Sequence, residues 1–420
     1  MSEKSSSMAT MFHFYLGLTF KNLWRHKRRT ILTTLVIAVG IFYYIVFDSL
    51  MTGINRDSVQ SMLDLEVGHF QLIPANADSS KIPNLKKLVP HGSAVTGRLH
   101  TIPGIQGATP RLLFAASLIS GMEELPVIGI GVDPQLDGTV FKIPKYLKGR
   151  WVNKGEAEVV LGQRAADMLQ LKLGDMVTIR TQTKTETFQA LDLTIVGIIN
   201  STNPTVNEGQ MFLPLDTAGQ ALGTGDAVSQ VVVKTASFNS LEKVIEDTNK
   251  LHFPGFRFRV KTWREAAASV LSTVQQKQAF QYILLLMVAI IAVIGVVNST
   301  LLASLERVRE IGILKAMGMT EFEITRLFTF EAAGLGFIGG LIGILLGLLM
   351  NTYLVYVGLD FEKMYGNINF GFSVNKIYGV WNPAAILGAF FLGMIVSLLA
   401  SWLPARKAAK VDPATSLRKI

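Results

Sequence analysis

The chain has 420 residues, 49% hydrophobic and only 17% charged, with no cysteine and a formal net charge of +9 at neutral pH. A composition this apolar points to the membrane, and the missing cysteine excludes disulfide frameworks, thiol nucleophiles and cysteine metal sites. The positive charge is a topology signal and not a nucleic-acid footprint, because it is gathered around particular apolar runs.

Met11 to Arg29 has Phe12, Leu16, Phe20, Leu23 and Trp24 at helical spacing, with Lys21, Arg25 and Arg28 on another face. This pattern predicts an amphipathic helix lying along the inner interface. Four runs with at most one charge follow: Ile31 to Phe47, Gln278 to Leu305, Leu327 to Leu359, and Ile377 to Ala405. Each is long enough to cross a hydrocarbon core of roughly 30 Å as a helix. The first run resembles a secretory signal in its basic flank, but Asp48 and Met51 follow it in place of a small-residue cleavage site, so it is expected to remain as an anchor. Six Lys and Arg precede the first run, four lie within 306–326 and five follow Leu403, against two between the third and fourth runs. Both termini and 306–326 are therefore expected in the cytoplasm.

The first helix is expected to continue outward to about Leu65, since no proline interrupts it. From Val67 to Lys261 the text changes to short β-type runs such as EVVLG, MVTIR and QVVVK, separated by Gly, Pro, Asn and Asp. This is an α+β domain outside the cytoplasm, expected as two subdomains, with the middle (about Arg111 to Leu222) inserted into the flanks. Helices are predicted near Gln163–Leu171 and Ser240–Leu251. Thr262 and Glu265 make a T-x-x-E capping box, and a single helix from there to Leu305 would be about 66 Å long, twice the membrane core. Its outer half is expected to stand above the bilayer as a stalk.

The expected order is a cytoplasmic amphipathic helix (1–30), span one (31–53), a stalk (54–66), the external domain (67–261), a second stalk (262–279), span two (280–305), a cytoplasmic segment (306–326), span three (327–355), an outer loop (356–381), span four (382–403) and a cytoplasmic tail (404–420). Span three contains G-x-x-x-G steps through Gly336, Gly339, Gly340, Gly343 and Gly347, which allow close helix approach either within the chain or between subunits. Glu331 in the same span reads as an interfacial or paired carboxylate. Phe42, Tyr43, Phe47 and Met51 near the outer end of span one, with Val274 and Tyr282 near span two, are candidates to line an acyl-chain cavity or to serve as an aromatic belt.

Several chemistries are missing. There is no G-x-x-x-x-G-K-[ST], so the chain itself is not expected to bind ATP, and no catalytic residue is nominated. The six histidines never fall three or four apart, and no metal site is expected.

Glu306 to Met317 is rich in helix formers, Gly318 is placed to end a helix in a left-handed cap, and Thr320 with Glu323 forms a second capping box. The result is a short crosswise helix whose Ile311-Gly-Ile-Leu314 patch would face water unless a partner covers it. ERVREIGILKAMGMTEFEI, with the glycine-rich span after it, resembles the corresponding segment of FtsX/MacB-type ABC transporter permeases. PARKAAKVDPATSL (Pro404 to Leu417) is similar to their C-terminal signature. The resemblance implies four transmembrane helices, a MacB-like periplasmic α+β domain and an FtsX-like permease domain. It further implies a coupling helix docked on a separate ABC ATPase dimer through Arg307, Val308, Arg309, Glu310, Ile311, Gly312, Ile313, Leu314, Lys315, Met317 and Gly318. ATP and Mg would be bound by that partner, and a second permease copy or paralogue would complete a mechanotransmission transporter in the bacterial inner membrane.

GHFQL, IGIGVDP (Ile128 to Pro134), LGQRAADMLQLKLGDMVTI (Leu161 to Ile179) and EGQMFLPLDTAGQAL (Glu208 to Leu222) resemble the lipoprotein-releasing LolC/LolE-type branch. In that branch a hairpin equivalent to Thr181–Asp192 receives a periplasmic carrier. Here it is short and polar, as in the hookless partner or a homodimeric relative. The implied function is extraction of lipoproteins from the outer leaflet. The alternatives are MacB-type efflux of peptides or antibiotics, and FtsX-like signalling to a cell-wall hydrolase.

Overall fold

A computed structural model describes residues 27–77, 84–201, 203–253, 256–360 and 376–410. The expected N-terminal helix up to residue 26, most of the outer loop and the tail from 411 lie outside them. The chain divides into two compact units, one holding the described residues through Ile54, Gln275–Leu359 and from Ile377 onward, the other holding Asn55–Val274.

The first helix, α1, runs Lys27–Met62 without interruption and ends in a π-helical turn, Leu63–Val67. Gly68 stops it: its φ is +62°, its N–H returns to the Leu63 carbonyl, and a Cβ there would meet Val232 Cγ1 at 2.5 Å. The turn is fastened to the sheet that follows, with Asp64 taking an ion pair from Lys142 (2.7 Å) and Glu66 hydrogen bonds from Asn203 and Gln210.

The external unit then gives β1 Phe70–Pro74, α2 Gly92–Leu99, β2 Ile105–Ser120, β3 Glu123–Val132, α3 Asp137–Val140, β4 Leu147–Gly149, β5 Glu158–Gly162, α4 Gln163–Met168, β6 Met176–Gln182, β7 Phe188–Ile199, α5 Pro204–Gly209, β8 Gln210–Pro214, α6 Leu215–Leu222, β9 Gln230–Thr235, α7 Leu241–Asn249 and β10 Phe258–Thr262. The two helices expected there are shorter than predicted, at α4 and α7. The pairings β2–β3–β8–β5–β7–β6–β2 close a six-stranded circuit, and β9, β1 and β10 extend from β2 as an arm. One core fills the middle of the chain, with Leu112, Phe114, Leu118, Leu161, Ile179, Leu193 and Met211 fully buried; another, under the arm, holds Phe70, Leu72, Leu99, Val231 and Val233. A third core packs Leu65 and Val232 of the flanks with Ile130, Val160 and Phe212 of the middle. The sixteen-residue β2 also runs through both regions, pairing β9 over Ile105–Arg111 and β6 over Ala116–Ile119, so one hydrogen-bonded sheet joins them. Arg111, at the change-over, is fully buried in a two-bond pair with Asp137 (2.8 and 3.0 Å) and stacks on Phe141.

The predicted single helix from Thr262 is instead one turn, α8 Trp263–Ala266, then α9 Ala268–Glu306, about 58 Å long at 1.5 Å per residue. Ala267 between them is buried against Met62, Leu63 and Val67, which holds its backbone slightly off helical. The first capping box is half formed: Thr262 accepts the Glu265 N–H, but the Glu265 carboxylate goes to Arg259. In the membrane unit, α10 Val308–Ala316, α11 Glu321–Tyr356 and α12 Pro383–Ala409 complete the chain. α1, α9, α11 and α12 are long and apolar enough to cross a membrane. The last helix does not end at Leu403. It carries Pro404 in its interior and continues to Ala409, because Ala405, Ala408 and Ala409 are buried in packing beneath α10.

Candidate functional site

The crosswise helix forms where α9 breaks. Arg307 leaves helical geometry (φ −112°, ψ 21°), α10 runs to Ala316, and Gly318 closes it at φ +95° with its N–H on the Lys315 carbonyl. The second capping box is complete: Glu323 N–H donates to Thr320 Oγ1 (3.3 Å) and Thr320 N–H to Glu323 Oε2 (2.8 Å). A tight turn therefore separates two helices with fixed starts and stops.

The eleven predicted coupling residues divide into two faces. Ile311, 1% exposed, and Gly312 face inward against Ala303, Ile324, Phe328, Ala405 and Ala409. Arg309, Glu310, Ile313, Met317 and Gly318 are exposed, with Ile313 at 45% and Met317 at 76%; Val308, Leu314 and Lys315 are half-buried. The expected water-facing patch is thus corrected: the chain itself covers Ile311 and Gly312, Leu314 is half-buried, and Ile313 is the exposed residue of the patch. Exposed Ala316 lies on the same open face, a residue that the sequence reading passed over although its three-residue spacing from Ile313 marks it.

Arg307 is not on the open face. Its side chain and that of Glu331 are each 6% exposed, and Nη1 donates to Glu331 Oε2 at 3.1 Å. Glu310 lies 4.0 Å from Arg307 Nε, while Nη2 has no hydrogen-bond partner among the described residues. Glu331 is thus a paired carboxylate, one of the two readings its isolation in an apolar span allowed. The pair ties the break after α9 to α11.

The five glycines of α11 all pack within the chain. A Cβ on Gly339, Gly343 or Gly347 would come within 2.7–2.9 Å of α1, meeting Ile37, the Ala38 carbonyl oxygen and Ile45; Gly336 and Gly340 do the same against Ser397 and Phe390 of α12. Backbone approach this close is what G-x-x-x-G spacing permits.

The six predicted cavity residues do not gather. Tyr43 stacks on Phe47 (centroids 5.7 Å apart) with Tyr43 and Tyr282 exposed, Phe42 lines a groove with Leu346 and Tyr353, Met51 is half-buried and Val274 belongs to the external unit. The space between α1, α9 and α12 is lined instead by Tyr44, Leu285, Val288, Ala289 and Leu392 among others. No group of His, Cys, Asp and Glu among the described residues is arranged to hold a metal ion.

Two family profiles match the chain: the MacB-like periplasmic core domain over residues 30–251 and the FtsX-like permease C-terminal over residues 282–413. The chain is 24% identical over 414 residues to an uncharacterized ABC transporter permease of Methanocaldococcus jannaschii, covering 96% of this chain and 97% of that one. It is 26% identical over 396 residues to the lipoprotein-releasing system transmembrane protein LolE of Haemophilus influenzae, covering 91% and 92%. It is 25% identical over 422 residues to the macrolide export ATP-binding/permease protein MacB of Pasteurella multocida, covering 97% of this chain and 60% of that longer one. These near-equal identities do not single out the lipoprotein-releasing branch expected from the looser motifs. A core-domain match across more than half of the chain, joined to the permease match over the last three spanning helices, shows that this multi-pass membrane protein with an extracytoplasmic domain belongs to the FtsX/MacB-type family of ABC transporter permeases.

Proposed function

We propose that α10 is the foot through which a separate ABC ATPase dimer drives this permease, and that two such chains, or one with a paralogue, extract lipoproteins from the outer leaflet of the inner membrane. The observation that carries the first part is the two-faced foot: one side is sealed into the chain by Ile311 and Gly312, and the other offers Arg309, Ile313, Ala316 and Met317. A lever needs both a fixed side and a gripped side. On this reading the termini and the foot are cytoplasmic, and the long α9 carries displacement outward. Lipoprotein as cargo is supported by the similarity to LolE along nearly the whole chain. A periplasmic carrier is the further partner that the lipoprotein reading allows, and a cell-wall hydrolase is the partner that the FtsX-like signalling branch would require.

The match to the MacB-like core domain favours a second reading, efflux of peptides or antibiotics from the periplasm. One experiment addresses both. In the complex reconstituted with its ATPase, Ile313→Asp buries a charge at the grip and should abolish stimulation of ATP hydrolysis while leaving the permease folded, because an unpaired buried charge costs several kcal/mol. Unchanged copurification and unchanged stimulation would remove the docking assignment. Mass spectrometry of molecules retained by a hydrolysis-blocked complex discriminates the cargoes.

A further inference from the structure

The membrane unit contains a carboxylate that the foot mechanism does not use. Asp48 on α1 is only 8% exposed. Its Oδ1 accepts Gln281 Nε2 of α9 at 2.8 Å, and its Oδ2 accepts Asn382 Nδ2 at the start of α12 at 2.9 Å. Both donors are neutral amides, and no lysine or arginine pairs with Asp48 among the described residues. Two N–H groups satisfy about half of the roughly four acceptor positions of a carboxylate and cancel none of its charge. Among apolar helices a carboxylate held only by neutral amides is a position where a bound cation that also donates hydrogen bonds would be favoured.

Immediately inward lies the apolar cleft between the same three helices. Tyr44 is one turn below Asp48 on α1, Leu285 one turn below Gln281 on α9, and Ala389 two turns below Asn382 on α12, and all three line it. Gly40 and Gly393 also line the cleft; a Cβ there would lie 3.0 Å from Val288 Cγ1 and 2.8 Å from Ile41 Cδ1, respectively. The arrangement is a narrow apolar slot with a carboxyl group at its mouth that, among the described residues, is met only by two neutral amides.

We propose that this slot binds a transported amphiphile with a primary ammonium head, its alkyl chain between α1, α9 and α12 and its N–H groups on the free lone pairs of Asp48. The assignment goes beyond the lipoprotein reading by naming another cargo chemistry, and it rests on the transport reading only for the purpose of the site. Binding itself requires no ATPase, so its failure and that of the coupling reading are separable. A primary ammonium both neutralises and donates, whereas a quaternary ammonium only neutralises. The affinity order is primary ammonium, quaternary ammonium, neutral alkyl, anionic alkyl.

The test uses the full chain in phosphatidylcholine nanodiscs with two photoreactive probes of equal length, a dodecylamine and a dodecanol. Saturable amine labelling is expected on α1, α9 and α12, about tenfold stronger than alcohol labelling, with Asp48→Asn removing that excess and leaving alcohol labelling intact, since a hydrogen bond to a charged group exceeds a neutral one by about this factor. Ala289→Phe, which fills the slot, should weaken both probes. Equal labelling by the two probes, or amine labelling that Asp48→Asn leaves unchanged, overturns the site. Competition by phosphatidylethanolamine at bilayer abundance overturns the cargo assignment in favour of a resident lipid. ATPase stimulation of the assembled complex, measured in parallel, reports on the foot alone.

Discussion

Replacing Glu331 by leucine isolates the Arg307 guanidinium in the membrane unit. That side chain is 6% exposed, its Nη2 already lacks a hydrogen-bond partner among the described residues, and Glu310 at 4.0 Å is half exposed and hence screened. Breaking a buried ion pair from one side costs about 3–5 kcal/mol because the remaining charge is uncompensated, and the nearby Glu310 places the expectation at the lower end. At about 1.4 kcal/mol per tenfold, this shifts the unfolding equilibrium by roughly two powers of ten. Removing both charges together, as Arg307→Met with Glu331→Leu, should recover stability to within about 1 kcal/mol of the parent, since a well-packed apolar pair of similar volume is near neutral. Denaturant titration of the parent, Glu331→Leu, Arg307→Met and the double variant in mixed micelles gives the double-mutant cycle, and ATPase stimulation of each shows whether the pair also sets the angle of the foot. A single variant within about 1 kcal/mol of the parent, or a double variant as unstable as the single, would refute the argument that this pair is desolvated and interdependent.

Gly343→Ala places a methyl 2.7 Å from the Ala38 carbonyl oxygen and should cost roughly 1–3 kcal/mol, whereas Gly388→Ala, with open space around it on a helix, should not destabilise in the same titration. In the external unit, Asp137→Ala strands Arg111 and is expected to destabilise by about 3–5 kcal/mol, read as lost protection of β2 amides from hydrogen exchange. His69 offers a pH test: burial, with repulsion from Lys234, pushes it down from 6.5 to about 4 while its Nδ1 accepts the Thr235 N–H. Between those values the unfolded chain binds the extra proton, so this contribution to stability is complete above pH 6.5 and declines as the pH falls toward 4. His69→Asn should flatten the slope of melting temperature against pH in that window, and an unchanged slope would show that other groups set it.

The spanning helices were readable because a charge-free run of sufficient length has few other uses, and the foot because Gly318 and the Thr320–Glu323 box are local signals. Which isoleucine of the foot faces inward was not readable. Ile311 and Ile313 are identical in type, and their difference lies in Phe328 and Ala405, residues far along the chain. The expected span four stops at 403, yet the buried Ala405, Ala408 and Ala409 hold the helix together through Pro404. The closed strand circuit depends on pairings such as β6 with β2, separated by some sixty residues, which no short-range pattern announces. Tyr43 and Phe47, one turn apart, stack on each other, but which of them stays exposed is decided by how the other helices pack on α1.

Because the foot is moored from within, its outward face is free to vary without cost to the fold. On the proposed docking, recoding Arg309, Ile313, Ala316 and Met317 re-addresses the permease to a different motor, much as changing a plug leaves the appliance untouched.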